Sequence, residues 1–330
     1  MLRRYWVFAG NSPPVVDVLV CGSVAIDLIG QYQGSFRRYQ DDYHVQALNI
    51  SLQLSEMRTS FGGCGMNITY GLHRLGVKCT PLSSVGLDFL DHYQDHLNKL
   101  GINSDYIAID ENYEQSATCI LVTDESGNQI TLFHPGASMS DKRILPGEIP
   151  GIQDCQLAVL APEDAQIMLR QARDLERLHI PMLFDPGQVL DKFTRDEIHE
   201  LIELSRFAIF NEHEFDMLKT RSGFTSAQIQ SRIEQVIVTH SENGVDISEG
   251  GSSIHVEAAP IDKILDPTGC GDAFRAGYVY GLTLELDATR CGRLGGLLAA
   301  ENLKSPGTQN YSVDSQMLKA AYENLYEDTY

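Results

Sequence analysis

Short apolar runs alternate with polar stretches through the second half of the chain. Four runs after residue 155 are typical of buried strands, and the polar stretches between them, such as 163–178 and 193–205, favour helices. This alternation predicts a doubly wound α/β domain, in which a mostly parallel sheet is flanked by helices. Ligands of such sheets bind beyond the carboxyl ends of the strands. Those ends carry Pro162, Asp185, Asn211 and Thr239.

The first half of the chain carries the same signal, interrupted by two insertions. The apolar run at 15–30 predicts a buried first strand that ends at a glycine, and two glycines at the start of 61–76 lead into a helix. Residues about 31–60 show no clear helical period. The β-rich stretch at about 112–135 contains a hairpin signal at Ser126-Gly127-Asn128. Together the two insertions predict a small β-sheet lid.

Length and composition favour one large domain. We expect it at residues 16–330, after a loose extension at 1–15. No stretch approaches the roughly 20 apolar residues that span a bilayer, and the opening segment does not resemble a secretory signal. The seven cysteines are widely spaced and contain no C-x-x-C pair, which is typical of reduced thiols. We therefore expect a cytoplasmic protein.

The formal net charge of −20 limits the kinds of partner. Nucleic acids and anionic membranes require a dense basic face, so we expect neither. A small phosphate-bearing ligand remains compatible with an acidic chain, because backbone N–H groups and helix N-termini can supply local positive potential.

The strongest chemical signal is DPTGCGDAFRAG at 266–277, a glycine turn that leads into a helix. The N–H groups and the positive dipole end of such a turn suit a phosphate, or the charge that develops during phosphate transfer. A carboxylate such as Asp272 would repel a bound phosphate. Its position fits a general base that takes a proton from an attacking hydroxyl. Taken alone, the motif also allows a simple helix cap.

The order of motifs resembles the ribokinase-like superfamily of sugar and nucleoside kinases, from about residue 16 to 310. DPTGCGDAFRAG is similar to its C-terminal signature and FGGCGMNITYGLHRLG to its N-terminal one. Within the superfamily the chain is most similar to bacterial adenosine kinases. That similarity rests on GSVAID, FGG-x-x-x-NI, FHPGA, DPGQ, DPTG-x-GDAFRAG and Gly307-Thr308-Gln309. The resemblance implies a ribokinase-like fold and phosphorylation of the 5′-hydroxyl of adenosine by ATP with Mg²⁺, as in purine salvage. It leaves a monovalent-cation requirement open.

The resemblance also implies roles for individual residues. Asp27 matches a carboxylate that receives two ribose hydroxyls, and Phe133 matches an aromatic that packs on the purine. Other positions matched to substrate contacts are Ser23, Ser51, Gly63, Asn67 and Gln188. Asp272 would be the general base, beside an anion hole formed by Gly269, Cys270 and Gly271. The nucleotide-side positions are Asn211, Thr239, Ser241, Gly244 and Asn302, with Glu214 as a water-mediated support for Mg²⁺.

Two residues leave alternatives open. Arg275 follows Asp272 by three residues on the same helix face, so it can equally reach a phosphate or form a structural ion pair. Adenosine kinases of this type use a second lid aromatic, and Cys119 stands at the position that corresponds best. Tyr106 or Tyr113 would be the replacements.

Three alternative functions also remain. They are a kinase for a free sugar of the ribose or fructose type, a kinase for another nucleoside, and a non-catalytic ligand-binding homologue. A dehydrogenase or P-loop enzyme is disfavoured, because neither G-x-G-x-x-G after the first strand nor G-x-x-x-x-G-K-[ST] occurs. Exposed lid edges are often covered by a second subunit, so we expect a homodimer through residues around 45–60 and 110–133.

Overall fold

The computed structural model describes residues 16–37 and 51–330. Residues 1–15, interpreted above as an extension, and residues 38–50 of the predicted lid lie outside the described part. The strands are β1 (Val18–Cys21), β2 (Ala25–Tyr32), β3 (Leu54–Gly62), β4 (Cys79–Val85), β5 (Ile107–Ile109), β6 (Ala117–Thr123), β7 (Gln129–His134), β8 (Leu157–Leu160), β9 (Met182–Phe184), β10 (Phe207–Asn211), β11 (Gln235–Thr239), β12 (Val245–Glu249) and β13 (Ser252–Val256).

The helices alternate with the strands for most of the chain. They are α1 (Cys64–Arg74), α2 (Tyr93–Leu100), α3 (Ala165–Arg177), α4 (Arg195–Leu204), α5 (Glu212–Ser222), α6 (Ser226–Gln230), α7 (Cys270–Thr283), α8 (Ala288–Leu303) and α9 (Ser315–Tyr326). No helix in the described residues is long and apolar enough to cross a membrane. The predicted strand runs after residue 155 and the helices between them are confirmed.

The large sheet has the order β13-β12-β11-β10-β9-β8-β1-β4-β5. Neighbours from β5 to β11 pair in parallel, and β12 and β13 add an antiparallel edge. Because the chain builds outward from β1 in both directions, the sheet is doubly wound, as predicted. The point where the order reverses, beside the end of β1, is where open α/β sheets bind ligands.

The hydrophobic core lies in two layers, one on each face of this sheet. Side chains alternate along a strand, so Val18 and Val20 of β1 face the layer that includes α1, α7 and α8. Leu19 and Cys21 face the layer that includes α3, α4 and α5. Both sets are almost completely buried, as expected for a parallel sheet covered on both faces.

The second sheet, which we call the lid, has the order β3-β2-β6-β7. β2 and β6 pair in parallel, and the other two pairs are antiparallel. The hairpin between β6 and β7 is confirmed. Its turn is held by the Asp124 carboxylate, which accepts hydrogen bonds from the N–H groups of Ser126 and Asn128.

One strand prediction was wrong. The run at 15–30 is not a single strand, because it breaks at Gly22 into β1 of the large sheet and β2 of the lid. A side chain at Gly22 would place its Cβ 2.8 Å from that of Ala161 and 2.9 Å from the Cα of Gly65. The chain leaves the sheet where it passes closely over β8 and α1. The lid therefore begins at Ala25 and not near residue 31.

Candidate active site

The glycine turn before α7 has the geometry of an anion site. Gly269 precedes the helix with φ +78°, and the Asp266 carboxylate accepts a hydrogen bond from the N–H of Thr268 at 2.9 Å. The N–H groups of a first helical turn have no partner within the helix, so they are available to an anion. The Cys270 N–H is partly used, since it lies 3.3 Å from the carbonyl of Pro267.

Asp272 lies in the first turn of α7, and Oδ2 accepts a hydrogen bond from Nδ2 of Asn67 at 2.8 Å. Burial raises the pKa of this carboxyl to about 6, while Arg275 and the Asn67 hydrogen bond act in the opposite direction. A carboxylate with that pKa is ionised at neutral pH and remains a better proton acceptor than an ordinary aspartate. Both properties suit a general base.

Arg275 forms a structural ion pair, which is one of the two roles that the sequence left open. Its guanidinium donates to both carboxylate oxygens of Asp185, with Nη2 2.7 Å from Oδ1. Nη1 also donates to the carbonyl of Gly271 at 3.1 Å. Asp185 is completely buried beyond the end of β9. Arg275 therefore holds the glycine turn against the large sheet, with three of its five N–H groups engaged.

Asp27 lies on β2, in the lid, and is buried, with 7% of its surface exposed. Burial and the nearby Asp272 carboxylate raise the pKa of Asp27 to about 7, and Arg58 acts in the opposite direction. Gly62 makes room for this side chain, because a Cβ at Gly62 would lie 2.2 Å from Oδ2 of Asp27. Two carboxylates thus face the same site, one from the lid and one from α7.

The start of α1 forms the floor between the two carboxylates. Gly63 has φ +94°, and a Cβ there would lie 2.5 Å from the carbonyl oxygen of Ser23. The Ser23 hydroxyl accepts a hydrogen bond from the N–H of Cys64 at 3.1 Å. Ser23 and Gly63 therefore shape the helix start in this structure, and any contact they make with a substrate is additional to that role.

The inner face of the lid carries the residues expected to meet the base. The strand register places Asp27, Cys119 and Phe133 side by side on one face. The Phe133 ring is 53% exposed, so it is free to pack on a ligand. Burial raises the pKa of Cys119 to about 11, which keeps it a neutral thiol. Tyr106 cannot replace the missing aromatic, because it is buried in the core.

The nucleotide-side residues gather at the carboxyl ends of β10 and β11. Asn211 and Glu214 form a reciprocal cap of α5, in which each side chain accepts a hydrogen bond from the other residue's N–H at 2.8 Å. Thr239 is the register partner of Asn211. Gly244 has φ +88°, and Ser241 is also left-handed at φ +52°. Burial raises the pKa of Glu214, whose Oε2 lies 4.0 Å from Nη2 of Arg275.

Three residues expected to contact a ligand differ in their exposure. Asn302 is completely buried in α8, and Nδ2 points to the carbonyl of Gly307 at 3.4 Å, so it has no surface for an adenine and the expected contact has no support. Gln188 and Ser51 are exposed, as contacts to a ligand or as solvated loop residues would both be.

The sequence reasoning missed several residues that hold the site together. Gln309 donates a hydrogen bond to Oδ1 of Asn67 at 2.9 Å, and Arg58 of the lid pairs with Asp266 of the glycine turn at 2.6 Å. Gln309 stood in a recognised motif without an assigned role. No local pattern identifies the Arg58 pair, because its two residues are 208 positions apart.

The arrangement can accept a hydroxyl proton at Asp272, hold a phosphate at the glycine turn and receive a diol at Asp27. Residues 16–316 match the family described as pfkB family carbohydrate kinase. The chain belongs to this family. It is therefore a phosphotransferase that acts on an alcohol group, and its fold is ribokinase-like.

The relatives cover most of the chain. A nucleoside kinase of Methanocaldococcus jannaschii is 30% identical over 79% of this chain and 85% of its own length. The structure of a Burkholderia thailandensis nucleoside kinase in complex with inosine is 32% identical, with a TM-score of 0.86 over 94% of this chain and 99% of that one. The same enzyme in complex with ADP-inosine gives a TM-score of 0.82 at 32% identity, over 94% of this chain and 97% of that one.

Proposed function

We propose that this pfkB-family enzyme transfers the γ-phosphoryl group of ATP to the 5′-hydroxyl of a purine nucleoside. The position of Asp272 is the observation that carries the proposal. It lies in the anion-binding turn of α7 and is hydrogen-bonded to Asn67 of α1, on the acceptor side of the site. A general base for phosphoryl transfer has to meet both the hydroxyl and the phosphate.

In the proposed reaction the Asp272 carboxylate takes the proton of the 5′-hydroxyl. The 5′-oxygen then forms a bond to the γ-phosphorus, the bond to the β-phosphate oxygen breaks, and its electron pair leaves with ADP. The N–H groups of Gly269 and Gly271, with a weaker contribution from Cys270, would stabilise the negative charge of the transferring group. Closure of the lid would exclude water that otherwise hydrolyses ATP.

The residues on the nucleotide side fit a magnesium ion bound mainly through water. Mg²⁺ keeps several of its waters and takes few protein ligands when phosphates are present. In Glu214 one carboxylate oxygen is held by the Asn211 N–H, so the carboxylate is already oriented at the ends of β10 and β11. When bound, the ion would neutralise phosphate charge, which an acidic chain of net charge −20 especially needs.

The acceptor side favours a nucleoside over a free sugar. Asp27 can accept two ribose hydroxyls, and Phe133 presents an exposed ring on the same face of the lid. A free sugar would leave that ring without a partner. Adenosine is the acceptor that we propose, as a step of purine salvage, and inosine is the competitor, because a structural relative is in complex with it.

ADP release from ATP and Mg²⁺ tests the proposal, with adenosine, guanosine, inosine, cytidine, ribose and fructose at equal enzyme concentration. We expect purine nucleosides to give the highest kcat/KM, with adenosine first. A preference for inosine would keep the reaction and change the base. A preference for ribose or fructose would remove the purine site, and no activity with any acceptor would favour a ligand-binding homologue.

We also propose that the lid pairs two copies of the chain. Its outer face is an apolar surface in which four large side chains are exposed. They are Met57, Ile120, Ile130 and Leu132. A monomer rarely leaves such a surface in water, and pairing would also cover the strand edges. Sedimentation velocity should show a dimer that Leu132→Asp dissociates and that Met317→Asp, on exposed α9, leaves intact. A monomeric wild type would refute the pairing.

A further inference from the structure

A chain of side-chain hydrogen bonds ends on the catalytic carboxylate from outside α7. His96 of α2 contacts Oε1 of Gln309 through Nε2 at 3.0 Å. Nε2 of Gln309 donates to Oδ1 of Asn67 and to the Tyr93 hydroxyl, each at 2.9 Å. Nδ2 of Asn67 then donates to Oδ2 of Asp272 at 2.8 Å. The chain links α2, the turn after α8, α1 and α7.

The donors and acceptors in this series of hydrogen bonds can be assigned in only one way. The Tyr93 hydroxyl donates to the carbonyl of Gly62 at 2.8 Å, so its oxygen accepts from Gln309. Both N–H groups of the Gln309 amide are then used, and its oxygen must accept from His96. If the Gln309 amide were reversed, its oxygen would face Oδ1 of Asn67, and the two acceptors would repel each other. The orientation of Gln309 therefore fixes which end of the Asn67 amide faces Asp272.

Gln309 is itself held firmly. It is 3% exposed, and the turn that carries it is bound on both sides of the site. The Thr308 hydroxyl donates to the carbonyl of Phe61 at 2.7 Å, and the N–H of Gly307 donates to Asp266 at 2.9 Å. A side chain locked by such packing is a suitable support for a residue that contacts the reacting groups.

We infer that Gln309 is a positioning residue, which orients the Asn67 amide so that its N–H group, and not its oxygen, faces the Asp272 carboxylate. The inference rests on the proposed function, in which Asp272 is the general base. Asn67 donates a neutral hydrogen bond to Asp272, as the Cys64 thiol also does, so reversing the Asn67 amide would remove one of these donors from the base.

Asp272 lies near several charged and titratable groups. Arg275 of its own helix is the positive one, and Asp185 beyond β9 and Asp27 of the lid are acidic. Two thiols, of Cys64 in α1 and of Cys270 in the glycine turn, and the Tyr311 hydroxyl also lie near it. If Asn67 turned its oxygen toward Asp272, a favourable contact with the carboxylate would become a repulsive one. The pKa of Asp272 would rise further, and less of the base would be ionised at neutral pH.

Two substitutions test this inference. Gln309→Leu removes the donor to Asn67, and we expect kcat at pH 7 to fall by about 10-fold, as is typical when a residue that orients a catalytic group is lost. Gln309→Glu offers Asn67 only an acceptor and so favours its reversed orientation. We expect a larger loss, about 100-fold, and an upward shift of the acidic limb of the kcat profile by about one pH unit. KM for the nucleoside should change less than kcat.

Gln235→Leu is the matched control for a purely structural role. Gln235 is also a buried glutamine, hydrogen-bonded to Tyr278 and Glu249, but it begins β11 at the opposite end of the sheet. We expect it to lower thermal stability and to leave the pH limb unchanged. His96→Leu removes the donor to Gln309 from a half-buried position. We expect it to lower kcat by less than Gln309→Leu does. It replaces the Gln309 variants as the test if these fold poorly.

A double-mutant cycle separates action through Asn67 from an independent effect. If Gln309 acts through Asn67, Gln309→Leu should cause no further loss in an Asn67→Leu background. Additive losses, or wild-type pH profiles in both Gln309 variants and in His96→Leu, would overturn the inference. Wild type and Asp272→Asn are measured in parallel. An inactive wild type would indicate instead that the proposed function is wrong, and an active Asp272→Asn that the assignment of the base is wrong.

Discussion

Replacing Asp272 by asparagine should remove activity and increase stability in the same protein. The pKa of this carboxyl is raised from 3.8 to about 6, mainly by burial. At about 1.4 kcal/mol per unit, ionised Asp272 destabilises the folded state by up to about 3 kcal/mol at neutral pH. This is an upper value because the side chain keeps some contact with solvent. Asparagine has the same shape and keeps an acceptor for Asn67 without the charge.

The gain in stability should depend on pH in a defined way. Below pH 3.8 the carboxyl is neutral in the folded and the unfolded chain, so wild type and Asp272→Asn should be equally stable. Between pH 3.8 and about 6 the unfolded chain loses its proton first, and the wild type becomes progressively less stable than the variant. Above about pH 6 the difference should stay constant. Urea unfolding at several pH values measures it.

Turnover supplies the second readout for the same variant. A lost general base lowers kcat by about 10²- to 10⁴-fold, while KM for the nucleoside should change little. Asp216→Asn is the control, because Asp216 is exposed on α5 and Lys219 lowers its pKa. It should gain no stability and keep its turnover. Near-normal kcat in Asp272→Asn would refute the assignment of the base, and a pH-independent stability difference would refute the burial argument.

Two further substitutions test the lid. Gly62→Ala should raise KM for the nucleoside by about 10-fold or more, because the new methyl group would overlap the Asp27 carboxylate and displace it. Arg58→Ala removes the ion pair between the lid and Asp266, in which the Arg58 side chain is 43% exposed. It should change the free energy of unfolding by less than about 1 kcal/mol. We expect it to raise KM for the nucleoside, because the lid then closes less often on the glycine turn.

Each of these variants has a matched control. A Cβ at Gly296 of α8 would meet only ordinary contacts of 3.6 Å or more, so Gly296→Ala should keep KM and gain a little helix stability. Arg173 of α3 forms a comparable ion pair with Glu200 on the surface. Arg173→Ala should leave KM unchanged. Equal effects in a variant and its control would argue against the specific role of Gly62 or Arg58.

The parts of the fold that follow local rules could be predicted from the sequence. The strands β8 to β11 are short apolar runs bounded by turn residues, and the lid hairpin is set by the chain around Gly127. The glycine turn and Asp272 form one contiguous motif. In each case the signal and the structure lie within about a dozen residues, so periodicity and turn chemistry were sufficient.

The features that the sequence did not reveal depend on distant contacts or close packing. The break between β1 and β2 follows from the approach of Gly22 to Ala161 and Gly65, which no pattern within 15–30 indicates. The Gln309–Asn67 hydrogen bond joins residues 242 positions apart. Arg275 has the spacing of a phosphate ligand, but the buried Asp185 carboxylate holds it more strongly than a solvent-exposed anion would.

The two raised carboxylates imply separate limits on binding and on turnover. Asp27 must be ionised to accept two ribose hydroxyls, and its pKa is about 7, while Asp272 must be ionised to take a proton, and its pKa is about 6. Because the two groups repel each other, the pair takes up its protons in two steps, and the first proton goes mainly to Asp27. As pH falls, KM for the nucleoside should therefore rise first, near pH 7, and kcat should fall later, near pH 6. A common midpoint for both parameters would contradict this division of roles between the lid and α7.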